Sequence, residues 1–146
     1  MKIMNLATSE KMISTACNYL KIFPILSSAK LSINIPREGK DERGPMLWHK
    51  DDFGYKNLDF ITFVTDVDEN NGPFYTLKKK NKLGVFYKLT DVLKNPRPGE
   101  RNKISLEAFS KKYDESDVMT LKGTSGVSAF VDSRSSYHRG GFCKSK

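Results

Sequence analysis

The sequence predicts a mainly β domain with flanking helices, built as an antiparallel sandwich or barrel. Three observations predict it. Several short apolar runs are rich in β-branched and aromatic residues, clusters of Gly, Pro, Asn and Asp separate them, and a single helical period near the N-terminus would pack outside the strands.

Taken in order, Met12, Ile13, Ala16, Cys17 and Leu20 recur at helical spacing. Ser9 is available as N-cap, and Pro24 closes the segment that runs to Ile22. Leu31, Ile33 and Ile35 alternate with polar residues, the period of a half-buried strand. A charged loop follows over 37–45, then Met46 to Lys50 as a short strand. Phe60 to Thr65 is a stronger strand that ends at the turn formers Asp66-Val67-Asp68-Glu69-Asn70-Asn71-Gly72-Pro73. Phe74 to Leu77 returns. Residues 88–117 carry charges, Pro96, Pro98 and a short helical piece at 105–112, and read as an insertion or lid. Strands at 118–121, 127–131 and 136–139 complete the pattern, separated by Gly123-Thr124-Ser125-Gly126 and closed by Gly140-Gly141.

The 146 residues fit one domain, 1–146. With 38% hydrophobic and 29% charged residues, the chain has enough apolar side chains to bury a core. It contains no apolar run of the roughly 18 residues a membrane-spanning helix needs. The N-terminus lacks the features of a signal peptide. Cys17 and Cys143 are far apart and form no C-x-x-C pattern, which argues against a disulfide scaffold or a cysteine zinc site and makes a reduced, cytoplasmic setting the expectation. The net charge of +8 raises the question of nucleic acid, but the lysines and arginines are spread along the chain. Their densest cluster, Lys78-Lys79-Lys80 with Lys82, lacks interleaved aromatics and reads as a solvated loop; nucleic acid is not an expected partner.

The chemistry rests on the two histidines of the chain, His49 and His138. In a strand, residues i and i+2 point the same way, so His49 and Asp51 of Trp48-His49-Lys50-Asp51 project together, about 7 Å apart along the backbone. If His138 comes from a neighbouring strand, two imidazoles and a carboxylate converge on one face of a metal and leave the other face open, the arrangement of non-haem iron(II) oxygenases. Spacing alone also fits a surface imidazole beside a salt-bridging aspartate, and a strand-end histidine bonded to backbone. Trp48 and Phe53 flank the ligand pair, either lining a pocket or packing in the core.

A resemblance reaches past these residues. Trp48-His49-Lys50-Asp51-Asp52-Phe53, the strand Phe60 to Thr65 and the turn Asp66 to Phe74 resemble the phytanoyl-CoA dioxygenase family, in which a His-x-Asp strand precedes a hydrophobic strand and an Asn-Gly-Pro-Phe turn. Leu121 to Gly126, Phe130 to Arg134 and His138-Arg139-Gly140-Gly141 resemble the family's block around its distal histidine, and the order of the blocks agrees over roughly residues 28–141. The resemblance implies a double-stranded β-helix (a jelly roll, cupin-like), with iron(II) held by His49, Asp51 and His138. It also implies 2-oxoglutarate and molecular oxygen as cosubstrates. The implied reaction hydroxylates a small-molecule or lipid-like substrate with release of succinate and CO2, and Asp51 sets this chain apart from halogenating relatives that lack the carboxylate.

The chain departs from the family in two places. Members carry an arginine, sometimes a lysine, on the strand beyond the distal histidine, where it pairs with the far carboxylate of 2-oxoglutarate. Here the sequence ends at Lys146, eight residues after His138. Lys144 and Lys146 share strand parity with His138, and Lys144 is the candidate for cosubstrate binding beside its plainer reading as a solvated terminal lysine. Arg139 has the opposite parity and is expected to point away from the metal. The family's turn after the returning strand is replaced by Lys78-Lys79-Lys80-Asn81. The expectation is therefore a truncated member, incomplete at the C-terminal end of the β-helix. Its alternative is a catalytically impaired module that binds a metal or ligand.

Overall fold

The computed structural model describes residues 2–36, 44–51, 56–78 and 103–144. Its strands are β1 (Trp48–His49), β2 (Asp59–Thr62), β3 (Phe74–Leu77), β4 (Lys103–Ile104), β5 (Val118–Leu121), β6 (Ser128–Val131) and β7 (His138–Gly140). Every named pair is antiparallel. Five strands form one sheet in the order β4-β1-β7-β3-β5, and β2 pairs with β6 in a second. The protein is thus mainly β with antiparallel sheets and a few helices, as the strand and turn pattern predicts.

The core lies on one face of the five-stranded sheet. Strand alternation sends Trp48, Tyr75, Leu77 and Ile104 to that face, and Tyr137 joins them from the residue before β7. Helix α3 (Leu106–Ser110) covers them with Phe109, whose ring stacks on Trp48 at 3.9 Å between centroids and 6° between planes. The helix is well specified locally. Ser105 has the extended backbone of an N-cap, and its side chain accepts a hydrogen bond from the Ala108 N–H at 3.1 Å. Residues 103–117 of the anticipated lid therefore build the edge strand β4 and the cover of the core; residues 88–102 lie outside the described residues.

The N-terminal helix α1 (Lys2–Ala7) is not foreseen by the sequence pattern, whereas α2 (Glu10–Leu20) falls where the apolar spacing predicts it. Ser9 occupies the N-cap position, but its backbone carbonyl, rather than its side chain, accepts from Ile13. Lys21 ends α2 in a left-handed conformation, φ 60°, before Pro24 is reached. Tyr19 hydroxyl donates to Asp132, and Lys56 Nζ donates to the Leu20 carbonyl, fixing α2 against the sheet edge.

The predicted strand at 31–35 is not formed. Residues 23–36 have no regular secondary structure, and Ile33 is 84% and Phe23 81% exposed. Alternation reports which face a strand would bury; it cannot report whether a sheet edge is free to accept it. The segment is anchored by Asn34, whose Nδ2 donates to the Gly72 carbonyl at 3.2 Å.

The turn at 66–73 does more than reverse the chain. Asn71 Oδ1 accepts from the Asp68 N–H at 2.8 Å and Asp68 Oδ1 from the Asn70 N–H at 2.7 Å, so the acidic and amide side chains shape the loop from within. Its outer side receives the chain leaving β7, with Gly141 N–H on the Pro73 carbonyl at 2.6 Å and Lys144 N–H on the Asn70 carbonyl at 2.5 Å. Glycine is required at this contact, since a Cβ on Gly141 would lie 2.6 Å from Pro73 Cδ and 2.9 Å from Pro73 N. Among the described residues no helix is long and apolar enough to cross a membrane.

Candidate metal centre

The face of the sheet opposite the core carries His49, His138 and Thr76. Their register is direct: His49 pairs with His138 across β1 and β7, and His138 pairs with Thr76 across β7 and β3. Residues paired across adjacent strands carry their side chains on one face with Cβ atoms about 5 Å apart. The two imidazoles, distant in sequence, consequently meet with ring centroids 4.2 Å apart and planes tilted by 54°.

Asp51 lies just beyond β1, two residues after His49, and its carboxylate enters between the rings. Asp51 Oδ1 is 3.7 Å from His49 Nε2, and Oδ2 is 3.7 Å from His138 Nε2. One ligand atom from each of the three residues lies within 4.8 Å of the others. The spacing predicted for a His-x-Asp strand and a distal histidine is thus realised in space.

The tautomers follow from the hydrogen bonds. His49 Nδ1 donates to the Leu47 carbonyl at 2.8 Å, and His138 Nδ1 donates to the Ser136 carbonyl at 3.2 Å. Each ring is oriented by the carbonyl two residues earlier, which leaves its Nε2 as the lone-pair nitrogen. His138 is 6% exposed, and burial first, then the neighbouring His49, lowers its pKa below the ordinary imidazole range. At neutral pH its 3.7 Å approach to Asp51 is therefore a lone pair facing a carboxylate, not an ion pair. The His138 lone pair and the Asp51 carboxylate face a common gap, a repulsion that a cation between them relieves.

The dimensions fit such a cation. A first-row divalent ion about 2.1 Å from three ligands on perpendicular axes sets the ligand atoms about 3.0 Å apart, against 3.7 Å for each imidazole–carboxylate approach and at most 4.8 Å across the set of three. That closure is within reach of small side-chain rotations. His49 and Asp51 are partly exposed, so the site opens to solvent on their side while His138 forms its buried floor.

Other predicted residues are placed differently. Trp48 belongs to the aromatic core on the opposite face, as strand parity with His49 requires. Arg139 likewise points away from the metal face, its guanidinium 4.2 Å from the Tyr75 ring centroid and 5.4 Å from that of Trp48. Lys144 has an exposed side chain on the segment held by the turn at 66–73. Phe53 and Lys146 lie outside the described residues, as do Lys79, Lys80 and Lys82; Lys78 Nζ donates to the Ser116 carbonyl at 2.9 Å.

Two features escaped sequence reasoning. Phe74 brings its ring to 5.7 Å from His138, at 27° to it, and so walls the metal face. Asn57 and Ser133 lie behind Asp51, bonded to each other at 2.7 Å. Only the β3–β7 register identifies the first, and only the meeting of two distant turns identifies the second. The chain was also compared with protein families, curated proteins and solved structures, and none of them matches it.

Proposed function

We infer that this protein is a non-haem iron(II)/2-oxoglutarate-dependent dioxygenase that hydroxylates a small-molecule or lipid-like substrate, on a sheet pair belonging to a double-stranded β-helix. The observation that carries the reading is the convergence of His49 Nε2, His138 Nε2 and the Asp51 carboxylate on one gap, with both imidazoles oriented by Nδ1 hydrogen bonds to backbone carbonyls. Two histidines and one carboxylate are the donor set of that enzyme class. The phytanoyl-CoA dioxygenase resemblance in the surrounding blocks supplies the choice of iron and 2-oxoglutarate.

Iron(II), when bound, supplies open coordination positions for the keto acid and oxygen and the redox chemistry of hydroxylation. The chain's own residues hold and shape the site. The two Nδ1 hydrogen bonds keep the Nε2 atoms aimed inward, Asp51 offsets one of the metal's two charges, and Phe74 with Thr76 forms the wall beside His138.

A second reading, a metal- or ligand-binding module without turnover, draws on one observation. Arg139, the nearest arginine to His138 in sequence, is packed on the opposite face, and the side chain of Lys144 is exposed, so neither is poised over the metal face to pair with the far carboxylate of 2-oxoglutarate.

Anaerobic titration with iron(II) and 2-oxoglutarate separates the two. The dioxygenase reading expects a visible charge-transfer band from the chelate that is lost in His49→Ala. Iron binding without the band would leave the module reading in place, and no iron binding at all would remove the dioxygenase and the metal-binding module together.

A further inference from the structure

Of the three ligands, Asp51 is the one that no β-ladder positions. His49 and His138 are opposite each other in the β1–β7 register, and each ring has its own Nδ1 hydrogen bond. Asp51 follows the end of β1, and its backbone N–H is tied across the sheet to the Ser133 carbonyl at 2.9 Å. Ser133 lies in the turn between β6 and β7 and is 1% exposed. Its hydroxyl oxygen accepts from Asn57 Nδ2 at 2.7 Å, a side chain 76 residues away in sequence. The same amide nitrogen is 3.4 Å from each Asp59 carboxylate oxygen at the start of β2. Asn57 thereby joins the entrance of β2 to the turn whose carbonyl holds Asp51.

We propose that Asn57 is a positioning residue for the metal site: by holding the Ser133 hydroxyl, it fixes the Ser133 carbonyl and so aims the Asp51 carboxylate between His49 and His138. The inference rests on the metal-centre reading above. A buried hydroxyl deprived of its donor shifts to find another, and the turn that carries it moves with it. Because Asp51 hangs from that turn by one backbone hydrogen bond, the displacement passes to the carboxylate, while the ladder keeps both histidines in place. Contacts of this kind behind a metal ligand are typically worth about 10–100-fold in metal affinity.

Cobalt(II) is a suitable probe, since its visible d–d bands report both affinity and coordination geometry without turnover. Asn57→Ala and Ser133→Ala are each expected to weaken cobalt binding by about 10–100-fold and to change the band pattern. The double variant is expected to be no weaker than the weaker single one, because both remove the same contact. Ser133→Ala deletes a single hydroxyl and tests the same link should Asn57→Ala fail to fold. Wild-type affinity and an unchanged spectrum in both variants would overturn the role of Asn57 and leave the metal centre standing. Absence of cobalt binding in the wild-type chain, or binding that survives His138→Ala, would remove the metal centre itself and this inference with it.

Discussion

Replacing Asp51 with Asn has opposite consequences for the metal-free and metal-loaded protein, and the size of each can be worked from the site. In the metal-free protein the carboxylate oxygens lie 3.7 Å from His49 Nε2 and from His138 Nε2, and burial keeps the His138 ring neutral with its lone pair toward the carboxylate. An amide of the same shape presents an N–H to that His138 lone pair, and a neutral hydrogen bond gains about 1 kcal/mol. Metal-free Asp51→Asn is therefore expected to be as stable as the wild type or slightly more so. With the metal, the variant loses one of three donors and its charge. An affinity loss of at least about 100-fold is expected, since residues merely supporting a ligand already cost 10–100-fold. At a free metal concentration of about 100 times the wild-type Kd, binding stabilises the wild type by about 2.7 kcal/mol and the variant by only about 0.4 kcal/mol. For a domain of this length that difference corresponds to a rise in Tm of about 8 °C against about 1 °C. Thermal unfolding followed by circular dichroism, with and without cobalt(II), reads all four states. A metal-induced rise of equal size in both proteins would show that Asp51 is no ligand. A metal-free variant several kcal/mol less stable than wild type would show that the carboxylate is held by favourable contacts, contrary to the lone-pair argument.

Two further outcomes follow from the packing and the electrostatics. Phe109→Ala is expected to cost about 3–5 kcal/mol in urea unfolding, because it removes a buried ring and the Trp48 stack together; a change under about 1 kcal/mol would mean that α3 is a loose cover rather than part of the core. Tyr19 has its pKa raised to about 12, by burial first and by the Asp132 carboxylate second, so the folded state keeps this proton better than the unfolded state does. The stabilisation it brings is complete below pH 10 and is lost as pH rises from 10 to 12; a pH titration of stability is expected to show an alkaline decline that is shallower in Tyr19→Phe, and identical declines would refute the assignment.

The site illustrates where one-dimensional reasoning holds. Asp51 follows His49 at a spacing that places both on one face of an extended chain whatever surrounds them, so this pair is local information. Likewise β3, β5 and β6 fall where the branched and aromatic runs put them, and Ser105 marks the start of α3, since propensity and capping act over a few residues. The strand predicted at 31–35 fails for the complementary reason: its alternation is local, but strand formation needs a partner edge, and the described sheet order ends at β4 and β5.

By itself, then, the sequence determined the antiparallel β character, most strands, the helix α2 and the choice of His49, Asp51 and His138 as the candidate metal ligands. The tertiary structure alone decided that His49 and His138 share one rung of the β1–β7 ladder, that Trp48 and Arg139 turn to the other face, and that Asn57 reaches Ser133 behind Asp51. The division has a physical origin. Side-chain periodicity is set by backbone geometry within a few residues, whereas register and turn contacts are set by which distant segments bury surface together, and no local pattern encodes that choice.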